Sequence, residues 1–382
     1  QHPADDTDAG VVTTHFEYHC MEDNLLKLDE LGHDDPTMLK MLEDMTHVRA
    51  ADIRLDDRET MAIFTSPEPL GLPGGDDILG DTGSVGIPEF GTNFTRQMLC
   101  ETRPDKFDTL VRLSGYSHGT DVWTNNARDI IINGVADISQ TIGCRDDITL
   151  YLIAKGMDDR QAFKISESVR RGRGLPGKSG DEMRRLGVPE WYIDSCEKIK
   201  YLFPKAHAVA YVMMAFRIAW FKVHRPLEFY SAYFYRRSRK DAFDAEHMTR
   251  GIDRVKARVR LIRELKGTKK ATAKDDDLLT TLEVCYEFYM RGFSFAGIDL
   301  YDSDAALFKI TGDGRLRPPF VSISGLGEIA AKEIVDKRRS LRFVSVEDIA
   351  AYCSKVSGTH IAQLRGLGAF GDMPESSQMS MF

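Results

Sequence analysis

From Pro88 to about Tyr235 the apolar residues recur at the three- and four-residue spacing of a helix face, and only Ser117–Gly119 and Gly172–Gly180 interrupt them. A span that long with that period predicts a mainly helical fold. Residues 37–64 carry the same pattern in Met38, Leu39, Met41, Leu42 and Met45. Val209 to Lys222 reads as an apolar helix whose Met213, Met214, Phe216, Ile218, Trp220 and Phe221 suit core packing better than a cofactor box. Pro67 to Gly86 is rich in Pro, Gly and Asp, so a hinge or domain boundary is expected there.

The ends read differently. Short strands are expected around His15–His19 and over Leu26–Asp29, where Leu26 and Leu28 face one side and Lys27 and Asp29 the other. Gly32 breaks that alternation, and Asp34 or Asp35 with Pro36 can start a helix. An acid at a strand end such as Asp29 can hold a metal or polar ligand, or simply be solvated. Residues 278–317 alternate toward strands, with Gly292–Phe295 and Ala306–Ile310 as the clearest pieces. Asp302 and Asp304 have the spacing of a metal pair, but their Ser/Asp-rich setting favours a turn or cap.

A chain of 382 residues is long for one core, and two or three domains are expected. No apolar run approaches the roughly 20 residues that span a bilayer, and no secretory leader is evident. Gln1 rather than Met stands first, which favours a piece of a longer protein. The six cysteines are scattered without a Cys-x-x-Cys pair, which argues against a zinc ribbon and for reduced thiols in a cytoplasmic protein. Charge is uneven. Residues 1–80 hold 5 Lys+Arg against 19 Asp+Glu, whereas residues 81–382 hold 46 against 40, so a polyanion partner stays open.

Several stretches carry candidate chemistry. The Ser117-His118-Gly119 turn can contact a phosphate or be an ordinary loop. Arg145, before the helix-starting Asp146 and Asp147, has no evident partner and can face an anion. Arg170–Gly174 and Lys178 form a basic loop. Lys205 and His207 sit at the polar end of the apolar helix, where core packing does not explain them. Arg250 to Lys274 holds ten Lys+Arg against Asp253 and Glu264; Arg254 and Arg258 lie off its apolar stripe, facing a phosphate backbone. Ile323-Ser324-Gly325-Leu326-Gly327, with Lys332 beyond it, reads as a hairpin between helices whose glycines admit a phosphate. A similar element recurs at Leu364-Arg365-Gly366-Leu367-Gly368, and two such hairpins point to sequence-independent DNA binding. The polar tail ends on Met381 and Phe382, which suit an apolar pocket on a partner.

Taken together these stretches resemble the C-terminal part of the PolC-type DNA polymerase III α subunit, a family of bacterial replicative polymerases. The resemblance runs nearly end to end. It is carried by Thr13-Thr14-His15-Phe16, Gly86-Ile87-Pro88-Glu89-Phe90-Gly91-Thr92, Ser117–Trp123, Gly143–Ile148, Phe203-Pro204-Lys205-Ala206-His207, Pro318–Gly327 and Gln378–Phe382. It implies the last palm strands over 1–36, fingers over 37–275, a duplex-binding region with tandem helix-hairpin-helix motifs over 276–372, and a clamp-binding tail over 373–382. It also implies that Asp29 is the third of three palm carboxylates that hold two Mg²⁺ ions, the other two lying in an upstream Asp-x-Asp pair that this chain lacks. Arg145, Ser117, His118, Gly119, Lys205 and His207 become candidates for the incoming dNTP. Gly325, Gly327, Lys332, Arg365, Gly366, Gly368, Arg254 and Arg258 become candidates for primer-template DNA, and Gln378, Met381 and Phe382 for the sliding clamp. Met at 379 and 381 stands where Leu is more usual, so weaker clamp binding is expected. Other replisome subunits are implied partners, and no membrane is. The expected activity is template-directed nucleotide addition, with this stretch inactive alone. The competing reading is a non-enzymatic DNA-binding module tethered to the clamp.

Overall fold

Asp35 opens helix α1 (Asp35–Thr46), as the Asp-Pro pair predicts, and Met38, Leu39 and Leu42 form its buried face. A computed structural model describes residues 33–376 and residues 8, 10, 16, 17, 20, 21, 24 and 25. Residues 1–34 form one unit and residues 35–382 another. Asp29, the strand expected over 26–29, and Gln378, Met381 and Phe382 lie outside the described residues.

The helix expected over 37–64 is interrupted after α1. His47 takes a positive φ, a 3₁₀ turn follows at Ala50–Asp52, and α-helix resumes only at α2 (Arg58–Ala62), where the Asp57 carboxylate caps Thr60 N–H. Then follow α3 (Asn93–Thr102), α4 (Phe107–His118), α5 (Arg128–Ile132), α6 (Arg145–Ala154), α7 (Asp159–Arg170), α8 (Ser179–Arg185) and α9 (Glu190–Lys198). The long α10 (Lys205–His224) and α11 (Pro226–Ser238) meet at Pro226, which occupies the first position of α11. α12 (Ala245–Met248), α13 (Ile252–Gly267) and α14 (Ala273–Met290) complete this series.

Helix α10 is apolar and long enough, by length and composition, to cross a membrane. Its Ala208, Val212, Ala215, Phe216, Ile218, Ala219 and Phe221 are instead packed in the protein core.

Helix α14 overturns the strand expectation for its stretch. Thr272 and Asp275 form a reciprocal cap at its start, and residues 278 and 279 and 281 through 288 are all buried. A helix buried on every side loses the polar stripe that reveals its period, so its Leu, Val, Tyr and Phe residues imitate a strand. Among the described residues the sheet found is one antiparallel pair, β1 (Lys309–Ile310) and β2 (Leu316–Arg317), with Lys309 opposite Arg317. Phe234, Phe243, Phe288, Phe295 and Phe308 form a ring cluster that fixes this region to α11 and α14. Asp304 serves the turn expected of it, accepting from Ala306 N–H and Leu307 N–H.

The Pro67–Gly86 segment is not a hinge. Leu70, Leu72, Ile78, Leu79, Thr82, Ser84 and Val85 are buried. Arg96 donates to the Leu79 carbonyl, Arg263 to the Asp77 carbonyl at 2.7 Å, and Tyr286 to Asp76 at 3.0 Å. The Lys222 ammonium, wholly buried, donates to the Gly83 and Val85 carbonyls at 2.7 and 2.6 Å and to Glu287 at 2.8 Å. Tyr230 donates to the other Glu287 oxygen at 2.6 Å. Burial pulls the Lys222 pKa down to about 8 although Glu287 opposes the shift. Composition marks the segment as loop; its backbone polar groups are satisfied by side chains from helices remote in sequence.

The chain ends with α15 (Glu328–Ser340), α16 (Val346–Tyr352) and α17 (Gly358–Gly366). The six cysteines are free thiols, four of them buried.

Candidate nucleotide and nucleic-acid sites

Gly115 sets the first site. A Cβ there would lie 2.3 Å from the Gly143 carbonyl, so only glycine lets α4 approach the start of α6 this closely. At that start Asp147 caps its own helix, accepting from Gly143 N–H and Cys144 N–H at 3.0 Å each. The same carboxylate lies 3.3 Å from Arg112 and 3.6 Å from the Lys205 ammonium. Asp146 accepts from Lys205 N–H at 3.2 Å, which joins the first turn of α10 to the first turn of α6. Asp146 and Asp147 thus start the helix, as their positions predict.

Arg145 is not without a partner. Its guanidinium lies 3.1 Å from Glu167 and 3.4 Å from Asp146. Sequence reading missed Glu167 because the contact crosses from α6 to α7.

A row of rings borders these charges. His118 stacks on Phe203 at 4.9 Å between centroids, His207 meets the edge of Phe203 at 5.2 Å, and Tyr211 lies 4.8 Å from His207. Glu89 binds the His118 Nε2, and this hydrogen bond raises the imidazole pKa against the opposing effect of burial. Arg145, Lys205, His207 and His118 are therefore brought into one neighbourhood. Ser117 and Gly119 play a different part from the expected phosphate turn. They close α4: the Ser117 hydroxyl donates to the Ser114 carbonyl at 3.0 Å, and Gly119 N–H to the Gly115 carbonyl. Four-residue helical spacing around Gly115 and Gly119 was the available sign.

The second region lies in the C-terminal helices. Leu326 N–H bonds to the Ile323 carbonyl at 3.0 Å, and Gly325 sits in the left-handed region at φ +81°, closing a tight turn that Gly327 passes into α15. The preceding helix is only a short 3₁₀ turn, Phe320–Ser322. Lys332 is exposed and pairs with Glu328 at 2.8 Å. Ile329 is 67% exposed beside the turn.

The second Gly-Leu-Gly element differs from the first. Gly366 ends α17, its carbonyl accepting from Arg250 at 2.8 Å, and Gly368 takes φ +77°. Arg365 is bound to Glu375, and among the described residues no helix follows. The duplicated hairpin expected there is present only as a helix end and turn.

The basic face of α13 is compensated in part. Arg254 pairs with Glu246 at 3.3 Å, Arg258 with Asp275 at 3.4 Å, Lys266 with Asp276 at 2.7 Å and Arg263 with Glu283 at 2.8 Å. Acids on the neighbouring α12 and α14 thus answer four of the cations in this stretch. Arg254 and Arg258 are thereby tied to neighbouring helices rather than presented as a bare cationic stripe.

Residues 35–182 match the family described as bacterial DNA polymerase III alpha subunit finger domain, and residues 292–379 match the helix-hairpin-helix motif. The chain is 52% identical over 382 residues to DNA polymerase III PolC-type of Caldanaerobacter subterraneus, covering all of this chain and 27% of the relative. It is 51% identical over the same span to the Thermotoga maritima protein of that description, covering 27% of it, and 52% identical to that of Bacillus cereus, covering 26%. From one end to the other the chain is similar to PolC-type polymerase sequence. It spans about a quarter of the length of the curated PolC-type relatives it matches. The Arg145–Glu167 cluster and Gly115 fall inside the finger-domain match, and the Gly325 turn inside the helix-hairpin-helix match. Lys205, His207 and Phe203 lie beyond the finger-domain match but within the full-length PolC-type similarity.

Proposed function

We propose that this chain covers the incoming nucleotide and holds the duplex in template-directed DNA synthesis. The observation that carries the proposal is the convergence of Arg145 and Lys205 with the His118–Phe203–His207 rings, inside a sequence PolC-type throughout. Cations beside aromatic faces suit a dNTP: the cations answer the phosphates and the rings accept a base or sugar face. Nucleotide binding then exchanges internal carboxylate partners for phosphate oxygens.

In the same reading, residues 1–36 end the palm, 37–275 form the fingers, 276–372 hold primer-template DNA, and 373–382 bind the clamp. The Gly325 turn leaves N–H groups at the start of α15 open to a backbone phosphate, with Lys332 beside it. Gln378, Met381 and Phe382 are assigned to a sliding clamp, and other replisome subunits are assigned as further partners in a cytoplasmic setting. Among the described residues no group of three or more His, Cys, Asp or Glu is arranged to hold a metal ion. Two Mg²⁺ ions therefore enter the proposal only through Asp29, as one carboxylate of a three-carboxylate set. Bound there, such ions would supply charge stabilisation for phosphoryl transfer. The chain alone is expected to bind its ligands without extending a primer.

The test is titration of the chain with a fluorescent dNTP. Arg145→Ala and Lys205→Ala should each weaken binding while thermal melts stay close to the parent. Absence of dNTP binding by the parent chain, or binding indifferent to both substitutions, would overturn the assignment.

A further inference from the structure

One carboxylate in the finger cluster serves three guanidinium groups. Glu167 accepts from Arg170 Nε and Nη2 at 3.0 Å each and from Arg145 Nη1 at 3.1 Å, and Arg171 Nη2 stands 3.5 Å away. Arg170 and Arg171 follow Glu167 at three and four residues on α7, so one helix face presents all three, while Arg145 reaches across from α6. Asp146 shares Arg145 at 3.4 Å. Three guanidinium charges thus face two carboxylates, a local surplus of one positive charge.

Fixing two helices together needs one ion pair, and the second and third arginines are surplus to that task. Arg170 grips both oxygens of Glu167, the paired geometry a guanidinium also uses on phosphate. Arg171 is 53% exposed, so the site opens to solvent on its side. The bonds to Arg170 and then Arg145 hold the Glu167 pKa below the usual carboxylate range against the cost of burial. It is therefore an anion at neutral pH.

We infer that Arg145, Arg170 and Arg171 form a phosphate-binding site that the chain's own Glu167 fills, and that an incoming triphosphate displaces this carboxylate. The inference rests on the nucleotide site proposed above for Arg145 and adds Arg170 and Arg171 to it. Glu167 acts as an internal competitor: it keeps the guanidinium groups aligned in the free protein and sets the affinity that phosphate must exceed.

The test uses the 382-residue chain and inorganic tripolyphosphate, followed by calorimetry, with thermal melts as a fold check. Glu167→Gln removes the competing charge and keeps the side-chain shape. It should tighten tripolyphosphate binding by roughly five-fold, the range of a partly exposed ion pair. Arg170→Ala and Arg171→Ala should weaken it. Glu167→Asp, which keeps the charge and shortens its reach, should fall between parent and Glu167→Gln. Equal or weaker binding by Glu167→Gln and Glu167→Asp would overturn the inference, because Glu167 would then only be holding the arginines in place. No tripolyphosphate binding by any variant would overturn it as well. Competition by dNTP separates the two claims: tighter tripolyphosphate binding that dNTP does not displace would sustain the phosphate site and remove the nucleotide reading.

Discussion

The Lys222 ammonium and the Glu287 carboxylate meet at 2.8 Å with both side chains sealed from solvent. Each charge is further satisfied: Lys222 by the Gly83 and Val85 carbonyls, Glu287 by the Tyr230 hydroxyl. Arg291 adds a bond to the Lys222 carbonyl at 3.0 Å and to Tyr230 at 3.2 Å. A buried pair of this kind costs desolvation, and its value lies in the groups it connects. Here those are α10, α11, α14 and the 67–86 segment.

Removing one partner leaves the other charge buried alone. Lys222→Met and Glu287→Gln should each destabilise the protein, with Lys222→Met costing about 3–5 kcal/mol. The double variant should cost less than the sum of the two. Urea unfolding of the four proteins as a cycle measures the coupling, and additive effects would contradict it.

Gly115→Ala places a methyl group against the Gly143 carbonyl, so α4 and the start of α6 must separate. The expected cost is about 1–3 kcal/mol. Because Asp147, Lys205 and Arg145 are aligned by that contact, dNTP affinity should fall with stability. A variant that melts like the parent and binds dNTP normally would show that the approach is not needed.

His118 gives a pH dependence with a defined sign. Its pKa is raised above the ordinary 6.5 by the Glu89 hydrogen bond. The stabilisation is therefore fully present below 6.5, where the unfolded imidazole is also protonated, and is lost as pH rises through the folded pKa. Glu89→Gln should destabilise at about pH 6 and matter less at about pH 9. Urea midpoints at the two pH values read the difference.

Gly325 requires φ +81°, a region that Val resists. Gly325→Val should weaken duplex binding, with its cost to overall stability confined to the turn. Lys332→Ala should lower the salt slope of log K by about 0.9 if Lys332 neutralises one phosphate. Fluorescence anisotropy across a salt series reads both effects, and an unchanged affinity and slope would remove the turn from the duplex interface.

Deleting residues 378–382 should abolish capture by a bacterial sliding clamp and leave duplex affinity intact. Surface plasmon resonance with immobilised clamp checks this. Capture that survives the deletion would place the clamp contact elsewhere.

Local rules were enough to read the helical run from 88 to 235, the helix starts at Asp35 and Asp146-Asp147, and the Gly325 turn, because caps and glycine conformation act within a few residues. They failed where a partner lies far away in sequence. Arg145 has only its neighbour Asp146 until α7 brings Glu167 beside it, and the arginines of α13 look uncompensated until α12 and α14 pack alongside. Helix α14 failed for another reason, since burial on all faces erased its period. The Ser117–Gly119 stretch has the residues of a phosphate loop, but they form the closing turn of α4, and the helix ends there as the break in periodicity predicts.

The anchoring of residues 67–86 also has a consequence in time. Asp76 is held by Tyr286, 210 residues later in the chain. At a bacterial translation rate of about 5–20 residues per second, Tyr286 is added roughly 10–40 s after Asp76. The Gly83 and Val85 carbonyls can meet their ammonium sooner, since Lys222 follows them by 139 and 137 residues, but until Tyr286 and its helix arrive the apolar residues between them and Leu70 lack their complete wall. The segment is made early and is fixed only after the ribosome has delivered the last helix that holds it.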